Sequence, residues 1–186
     1  FIPNLESIGD GAFLNTPIKR VLNLGNITNI PGGSNITSTG TFNGCTSLIE
    51  FVCPETVTSI GQNAFRGCKS LSSFNMPTAL TKLAGEAFYN CTSLVIEDLS
   101  LPNLTSLGQN AFYGVKIKKI SNLGNITALP TANTSTQNYG DKSVLEEVII
   151  PSGITSIPYS SFYNYSALSS VELPSSLTTI SSAAFK

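Results

Sequence analysis

Cys68-Lys-Ser-Leu71-Ser-Ser-Phe74-Asn-Met76-Pro77-Thr-Ala-Leu80-Thr-Lys-Leu83-Ala-Gly-Glu-Ala87-Phe88 is the stretch that decides the fold. Its second half reads apolar-x-x-apolar-x-x-x-Ala-Phe. The same pattern runs from Val57 to Phe65, from Leu104 to Phe112 and from Leu177 to Phe185. The aromatic recurs at Phe13, Phe42, Phe65, Phe88, Phe112, Phe162 and Phe185, and Tyr139 fills the remaining place. The spacings are 29, 23, 23, 24, 27, 23 and 23 residues, a period that belongs to stacked structural repeats.

The first half of the stretch supplies the strand. A Leu follows most of the aromatics by six residues, at Leu48, Leu71, Leu94, Leu145 and Leu168. Leu71-Ser-Ser-Phe74-Asn-Met76-Pro77 and Leu168-Ser-Ser-Val171-Glu-Leu173-Pro174 carry the L-x-x-L-x-L core of a leucine-rich repeat. One repeat has too few apolar residues to bury a face alone, so successive coils must cover each other. Alternation with period two sends Phe74 and Met76 inward and Ser73 and Asn75 outward. Proline lacks an N–H and ends each strand. The reading is a leucine-rich-repeat, right-handed solenoid, rich in β structure. Short parallel strands form its concave face, and irregular or 3₁₀ turns with some β bridging form its convex face.

A longer period lies on top. Pro3 to Pro31 aligns with Pro102 to Pro130 at an offset of 99, with sixteen of twenty-nine positions identical. Phe42 to Phe88 continues the match at an offset of 97 against Tyr139 to Phe185. The expected organisation is one solenoid over residues 1–186, of about eight coils and roughly 35 Å long. It is duplicated as 1–99 and 100–186 and reads as a fragment of a longer protein. Ile18 to Leu24 and Ile117 to Leu123 each hold one extra residue, which predicts a bulge. The polar loops Pro31 to Gly40 and Pro130 to Asn138 are expected to protrude.

Composition narrows the chemistry. Hydrophobic residues make up 41%, charged residues 11%, and the net charge is −1. That balance lacks the clustered cations that draw proteins to nucleic acid or anionic membranes. No apolar run reaches the ~20 residues of a spanning helix. There is no His, which removes His-based triads and zinc sites. Adjacent, solvated carboxylates such as Glu146 and Glu147 lack the facing geometry of acid–base catalysis. No enzyme activity, cofactor or metal is expected. Cys45, Cys68 and Cys91, spaced 23 apart, read as a ladder of buried reduced thiols, with Cys53 facing the core.

The repeat Cys-x-x-Leu-x-x-apolar-x-apolar-Pro-x-x-Leu-x-x-Ile-x-x-x-Ala-Phe, as in Cys68 to Phe88, resembles the BspA-type leucine-rich repeat. The resemblance covers essentially the whole chain. It implies a secreted or surface-displayed protein that adheres to host or matrix proteins or to other cells. The candidate binding surface is the outward strand strip: Arg20, Glu50, Val52, Asp98, Lys118, Lys119, Glu146, Glu147, Ile149 and Glu172. Val52 and Ile149 are expected to be exposed and to join the charges in one contact patch. The competing reading has Lys118 and Lys119 simply pairing with Glu146 and Glu147 on the next coil. Protein is the expected partner, with carbohydrate as the alternative. Tyr89, Tyr113 and Tyr163 read as packing over the convex turn, or as platforms for sugar rings. Seven Asn-x-Ser/Thr sequons, at Asn26, Asn35, Asn90, Asn103, Asn125, Asn133 and Asn164, follow from a chain rich in these residues. A structural spacer carrying another domain is the second functional reading.

Overall fold

A computed structural model describes residues 4–33, 39–133 and 135–186. Among them are thirteen strands and no helix. In chain order the first eight are β1 (Arg20–Val21), β2 (Asn29–Ile30), β3 (Glu50–Phe51), β4 (Ser59–Ile60), β5 (Ser73–Phe74), β6 (Lys82–Leu83), β7 (Val95–Ser100) and β8 (Ser106–Leu107). The rest are β9 (Lys116–Asn122), β10 (Glu147–Ile149), β11 (Ser156–Ile157), β12 (Ser170–Glu172) and β13 (Thr179–Ile180). All pair in parallel, each with its counterpart in the adjacent coil. The chain is a parallel β-solenoid.

The leucine motifs form a first set of strands, split into β1-β3-β5 and β7-β9-β10-β12. A second set, β2-β4-β6-β8 and β11-β13, comes from the apolar-x-x-apolar motif. That side was expected to hold irregular or 3₁₀ turns with some β bridging, and the bridging runs along most of the rod. The eight repeat aromatics bound seven intervals, six of which carry strands of both sets. The seventh, between Phe112 and Tyr139, carries only β9.

Stacking at strand spacing forces like residues on top of like. Phe13, Phe42, Phe65, Phe88 and Phe112 form a column with ring centroids 5.0, 5.3, 5.2 and 5.8 Å apart and planes within 8°. Phe51 and Phe74, from the first strand set, meet this column edge-on at 4.8 to 5.1 Å. Face stacks interlocked with edge contacts suit the ring quadrupole. A second column joins Tyr139, Phe162 and Phe185 at 4.7 and 5.2 Å. Among the described residues, no ring contact links Phe112 to Tyr139.

Phe13, Phe65, Phe88, Phe112 and Phe162 each sit in a turn flanked by two left-handed residues. Asn63, Glu86, Asn110, Ser160 and Ala183 have φ of 55–60° two residues before the aromatic, and Asn90 and Asn164 have 61° and 59° two residues after it. Left-handed backbone suits Gly and Asn. This is why the after-position reads Asn or Gly, and why sequons fall at Asn90 and Asn164. The turns stack through their own ladder: Phe42, Phe65 and Phe88 each donate an N–H to the carbonyl of Ala64, Ala87 and Ala111, all at 2.8 Å. The turns hold i to i−3 bonds, such as Arg66 N–H to Asn63 O at 3.1 Å, and no 3₁₀ helix among the described residues.

The second strand set and the turn ladder break at one coil, and the first strand set breaks a coil earlier. The first strand set parts between β5 and β7, where Leu94 to Pro102 holds two residues more than Leu71 to Pro77. The second set parts one coil later, after β8. There the two longest strands, β7 and β9, pair and hold the blocks together. Their register shifts between Leu99 opposite Ile120 and Ser100 opposite Asn122, so Ser121 is the extra residue of the expected bulge.

The loop Pro130 to Asn138 does not simply protrude. Asn138 is buried, its Oδ1 accepts from Asn110 N–H at 2.7 Å, and its Nδ2 donates to the carbonyls of Pro130 and Thr131. Gln137 Oε1 accepts from Gly114 N–H at 3.3 Å. Side chains thus replace the backbone turn ladder at the coil where the aromatic column is interrupted. In the loop Pro31 to Gly40, an antiparallel bridge joins Gly32 to Gly40. Ser34 to Ser38, with the sequon at Asn35, lie outside the described residues.

Phe88 is fully buried in the column while Phe185 is 40% exposed at its end. Phe88→Ala is expected to cost about 3–5 kcal/mol in denaturant unfolding, and Phe185→Ala under about 1 kcal/mol. Ser160 is buried in left-handed backbone with φ 55°. Ser160→Gly is expected to raise stability by about 0.5–1 kcal/mol, measured the same way.

Candidate functional site

The strip follows the register of the first strand set. Arg20 lies opposite Glu50, which lies opposite Ser73; Asp98 lies opposite Lys119, then Glu147, then Ser170. Charges on neighbouring rungs therefore meet. Arg20 Nε is 3.3 Å from Glu50, and Lys119 Nζ is 3.0 Å from Glu147. These two pairs occupy equivalent places in the two blocks, under the offsets of 99 and 97. Lys118 turns the other way and pairs at 3.1 Å with Glu97, a residue the sequence reading passed over. Glu146 acts on Lys118 only through its field. Glu97 and Glu147 hold the ammonium groups of Lys118 and Lys119 above their usual pKa.

The break between β5 and β7 divides the strip. Arg20, Glu50 and Val52 belong to the first part; Asp98, Lys118, Lys119, Glu146, Glu147, Ile149 and Glu172 belong to the second. Val52 is 41% exposed, whereas Ile149 is half-buried. The single patch expected from Val52 and Ile149 is replaced by two separate surfaces, because one block of coils lies between them. Leu22, 55% exposed beside Val52, adds to the first surface.

Tyr89 and Tyr113 are half-buried and stacked at 4.4 Å. Arg66 lies 4.3 Å over the Tyr89 ring and pairs with Glu86. Lys142 lies 5.7 and 5.8 Å from the centres of the Tyr163 and Tyr165 rings. These tyrosines pack over the turn.

All four cysteines are buried free thiols. Cys45, Cys68 and Cys91 donate to the carbonyls of Phe13, Phe42 and Phe65 in the preceding coil, at 2.9, 3.1 and 3.1 Å. Each thiol thus adds a second donor, from the next coil, to a carbonyl that already accepts from Thr16, Cys45 or Cys68 N–H within its own turn. Tyr165, at the same repeat position, reaches Gly140 O with its hydroxyl at 3.4 Å. Burial pushes the Cys45 thiol up, and burial followed by the field of Glu55 pushes Cys53 up to about 12. The neighbouring Cys91 thiol, then burial, raises Cys68. Among the described residues, no group of three or more His, Cys, Asp or Glu could hold a metal ion.

The sequence profile described as "BspA type Leucine rich repeat region" matches residues 23–140 and 132–186, in six copies. Among solved structures, a leucine-rich repeat protein from Bacteroides ovatus is similar at 26% identity and a TM-score of 0.65. That similarity covers 82% of this chain and 41% of that one. One from Eubacterium ventriosum is 18% identical with a TM-score of 0.63, covering 90% and 62%. The T. pallidum leucine-rich repeat protein is 21% identical with a TM-score of 0.50, covering 86% and 76%. The chain spans about two fifths of the Bacteroides chain and about three fifths of the Eubacterium chain. No curated protein matches the sequence.

Burial of all four thiols, with the pKa raised at Cys45, Cys53 and Cys68, predicts inert cysteines. At pH 8, iodoacetamide is expected to leave the folded protein unmodified by intact mass and to alkylate all four sites after denaturation. The raised pKa also has a sign for stability. Protonated Cys53 contributes fully below the ordinary thiol value of 9.0, and its contribution is lost as pH climbs toward about 12. The urea midpoint is expected to fall across that window.

Proposed function

We propose, from the premise that this chain belongs to the BspA type leucine-rich-repeat family, that it is a non-enzymatic protein-interaction module displayed at the cell surface or outside the cell. Solenoids hold partners along the face that their stacked strands present. One observation carries the reading. The same surface unit occurs in each block: a cation on β1 or β9, its carboxylate on β3 or β10, and an apolar residue, Val52 or Ile149, two positions on. Two copies of one mixed surface on a rigid rod suit an extended partner. The partner class is protein of a host, a matrix or another cell, with carbohydrate second. Among the described residues, no helix is long and apolar enough to cross a membrane.

A spacer role is the second reading. It is favoured by Arg20, Lys118 and Lys119 already pairing with carboxylates of the same chain. Reversing charge at Arg20, Lys119 and Glu147 together separates the two. A binding module is expected to lose its contacts on an array of host and matrix proteins, with its melting temperature moved by no more than about 2 °C, since exposed pairs stabilise little. A parent chain that binds nothing on the array decides for the spacer.

A further inference from the structure

Among the clefts on the first strand set, two occupy matching places, one in each block. The first, about 460 Å³, is lined by Leu22, Asn23, Leu24, Val52, Cys53 and Glu55 among others. The second, about 290 Å³, is lined by Ser121, Asn122, Leu123, Ile149, Ile150 and Glu172 among others. They are one place in two copies. The offset of 99 carries Leu22-Asn-Leu24 onto Ser121-Asn-Leu123, and the offset of 97 carries Val52-Cys53 onto Ile149-Ile150. Each forms where a block holds its extra residue. The Asx turn after it is repeated as well: Asn23 Oδ1 accepts from Gly25 N–H at 2.8 Å, and Asn122 Oδ1 from Gly124 N–H at 2.7 Å.

The floors are apolar, with Leu24, Cys53, Leu123 and Ile150 all buried. Each lining holds a single charged residue, and each time it is a carboxylate. These two carboxylates do not occupy equivalent positions. Glu55 corresponds to Ser152, and Glu172 corresponds to Asn75, both of which line their clefts. The blocks have diverged at both positions, yet each cleft keeps one negative charge. In the first cleft Asn75 and Thr78 hold Glu55, through Asn75 Nδ2 at 3.3 Å and Thr78 N–H at 3.1 Å. In the second, the backbone of Glu172 accepts from Ile150 N–H at 3.0 Å. The cations on the same strands, Arg20 and Lys119, are paired with Glu50 and Glu147.

An apolar floor ending at one carboxylate fits a side chain with an aliphatic stem and a cationic tip. We propose that the twin clefts take two basic side chains, Lys or Arg, of one extended polypeptide, an assignment that rests on the interaction-module reading. Neither lining contains an aromatic ring on which a sugar could stack. The cleft floors, at β1 and at β9, are four rungs apart, about 20 Å, which an extended chain covers in about six residues. Glu55 and Glu172 are five rungs apart, and the long basic stems take up the extra rung of about 5 Å.

The test is fluorescence anisotropy with labelled Ser/Thr-rich peptides. One carries two lysines six positions apart, one carries two lysines three apart, and one carries a single lysine. The six-apart peptide is expected to bind at least about ten-fold tighter than the other two, as simultaneous engagement requires. Glu55→Gln and Glu172→Gln should each reduce it to the single-lysine level, and Glu55→Asp should retain most of the gain. Equal binding of the three peptides, or an unchanged affinity in either Gln variant, overturns the assignment. The array keeps the two readings apart. Binding that survives the double Glu55→Gln, Glu172→Gln variant but is lost on charge reversal of the strip removes the twin clefts and leaves the interaction module standing.

Discussion

Backbone hydrogen bonding between coils sets a rise of about 5 Å, and everything else in this molecule is fitted to that number. It is close to the separation at which flat aromatic rings stack, so Phe at every repeat turns an interior into a column. It is also short enough for a thiol in one coil to reach the carbonyl of the coil before. Cys45, Cys68 and Cys91 use that reach. On the outside the same rise brings Arg20, Lys118 and Lys119 into ion-pair distance of a carboxylate on an adjacent rung. The surface of a solenoid is therefore not a free choice of residues. Like charges on successive rungs would repel, and Arg20, Glu50, Lys119 and Glu147 obey that rule.

Continuity of the rod does not depend on any one ladder. The first strand set opens between β5 and β7, and the second opens one coil later, after β8. The turn ladder changes from backbone to side-chain bonds where Asn138 and Gln137 replace it. Because the breaks are staggered, no plane between coils cuts all the bonds at once. The extended pairing of β7 with β9 lies at the junction of the two blocks, where the other ladders are weakest. Nearest-neighbour stability in such an array depends on each interface separately. Strand length there compensates for what the second set lacks.

The fold was legible because its signals are periodic. Leu71, Phe74, Pro77, Ala87 and Phe88 each have a repeated structural duty, and repetition makes the duty visible. What sequence reading missed is what differs between coils. Ile149 was expected to be exposed like Val52, its equivalent in the other block, and it is half-buried. Lys118 was expected to pair forward with Glu146 and pairs back with Glu97, because the β7–β9 register, Ile96 opposite Ile117 and Asp98 opposite Lys119, places Glu97 on the preceding rung across from it. The second strand set was read as mostly turn, since two-residue strands leave no alternation long enough to detect. Asn138 tied down a loop whose polarity suggested exposure. Its neighbours gave no sign of that, since its partners are carbonyls of its own loop and an N–H from the preceding coil.

The extra residue in Ile18 to Leu24 and in Ile117 to Leu123 was visible in the sequence, and its consequence was not. In the second block the ladder passes over the added residue, Ser121, as a bulge; in the first the added residue falls outside the paired Arg20 and Val21. A cleft lies beside each, so the duplicated blocks present two. Drift would be free to leave one cleft charged and the other neutral, or to reverse one sign. Instead the carboxylate moves from the loop after β3 in one block to β12 in the other while its number stays at one per cleft. Hydrogen bonds from Asn75 and Thr78 hold Glu55 in the first cleft, but they do not explain why the second cleft keeps a carboxylate at a different position, Glu172. A demand from outside the molecule accounts for it: whatever occupies these clefts brings a positive charge to each.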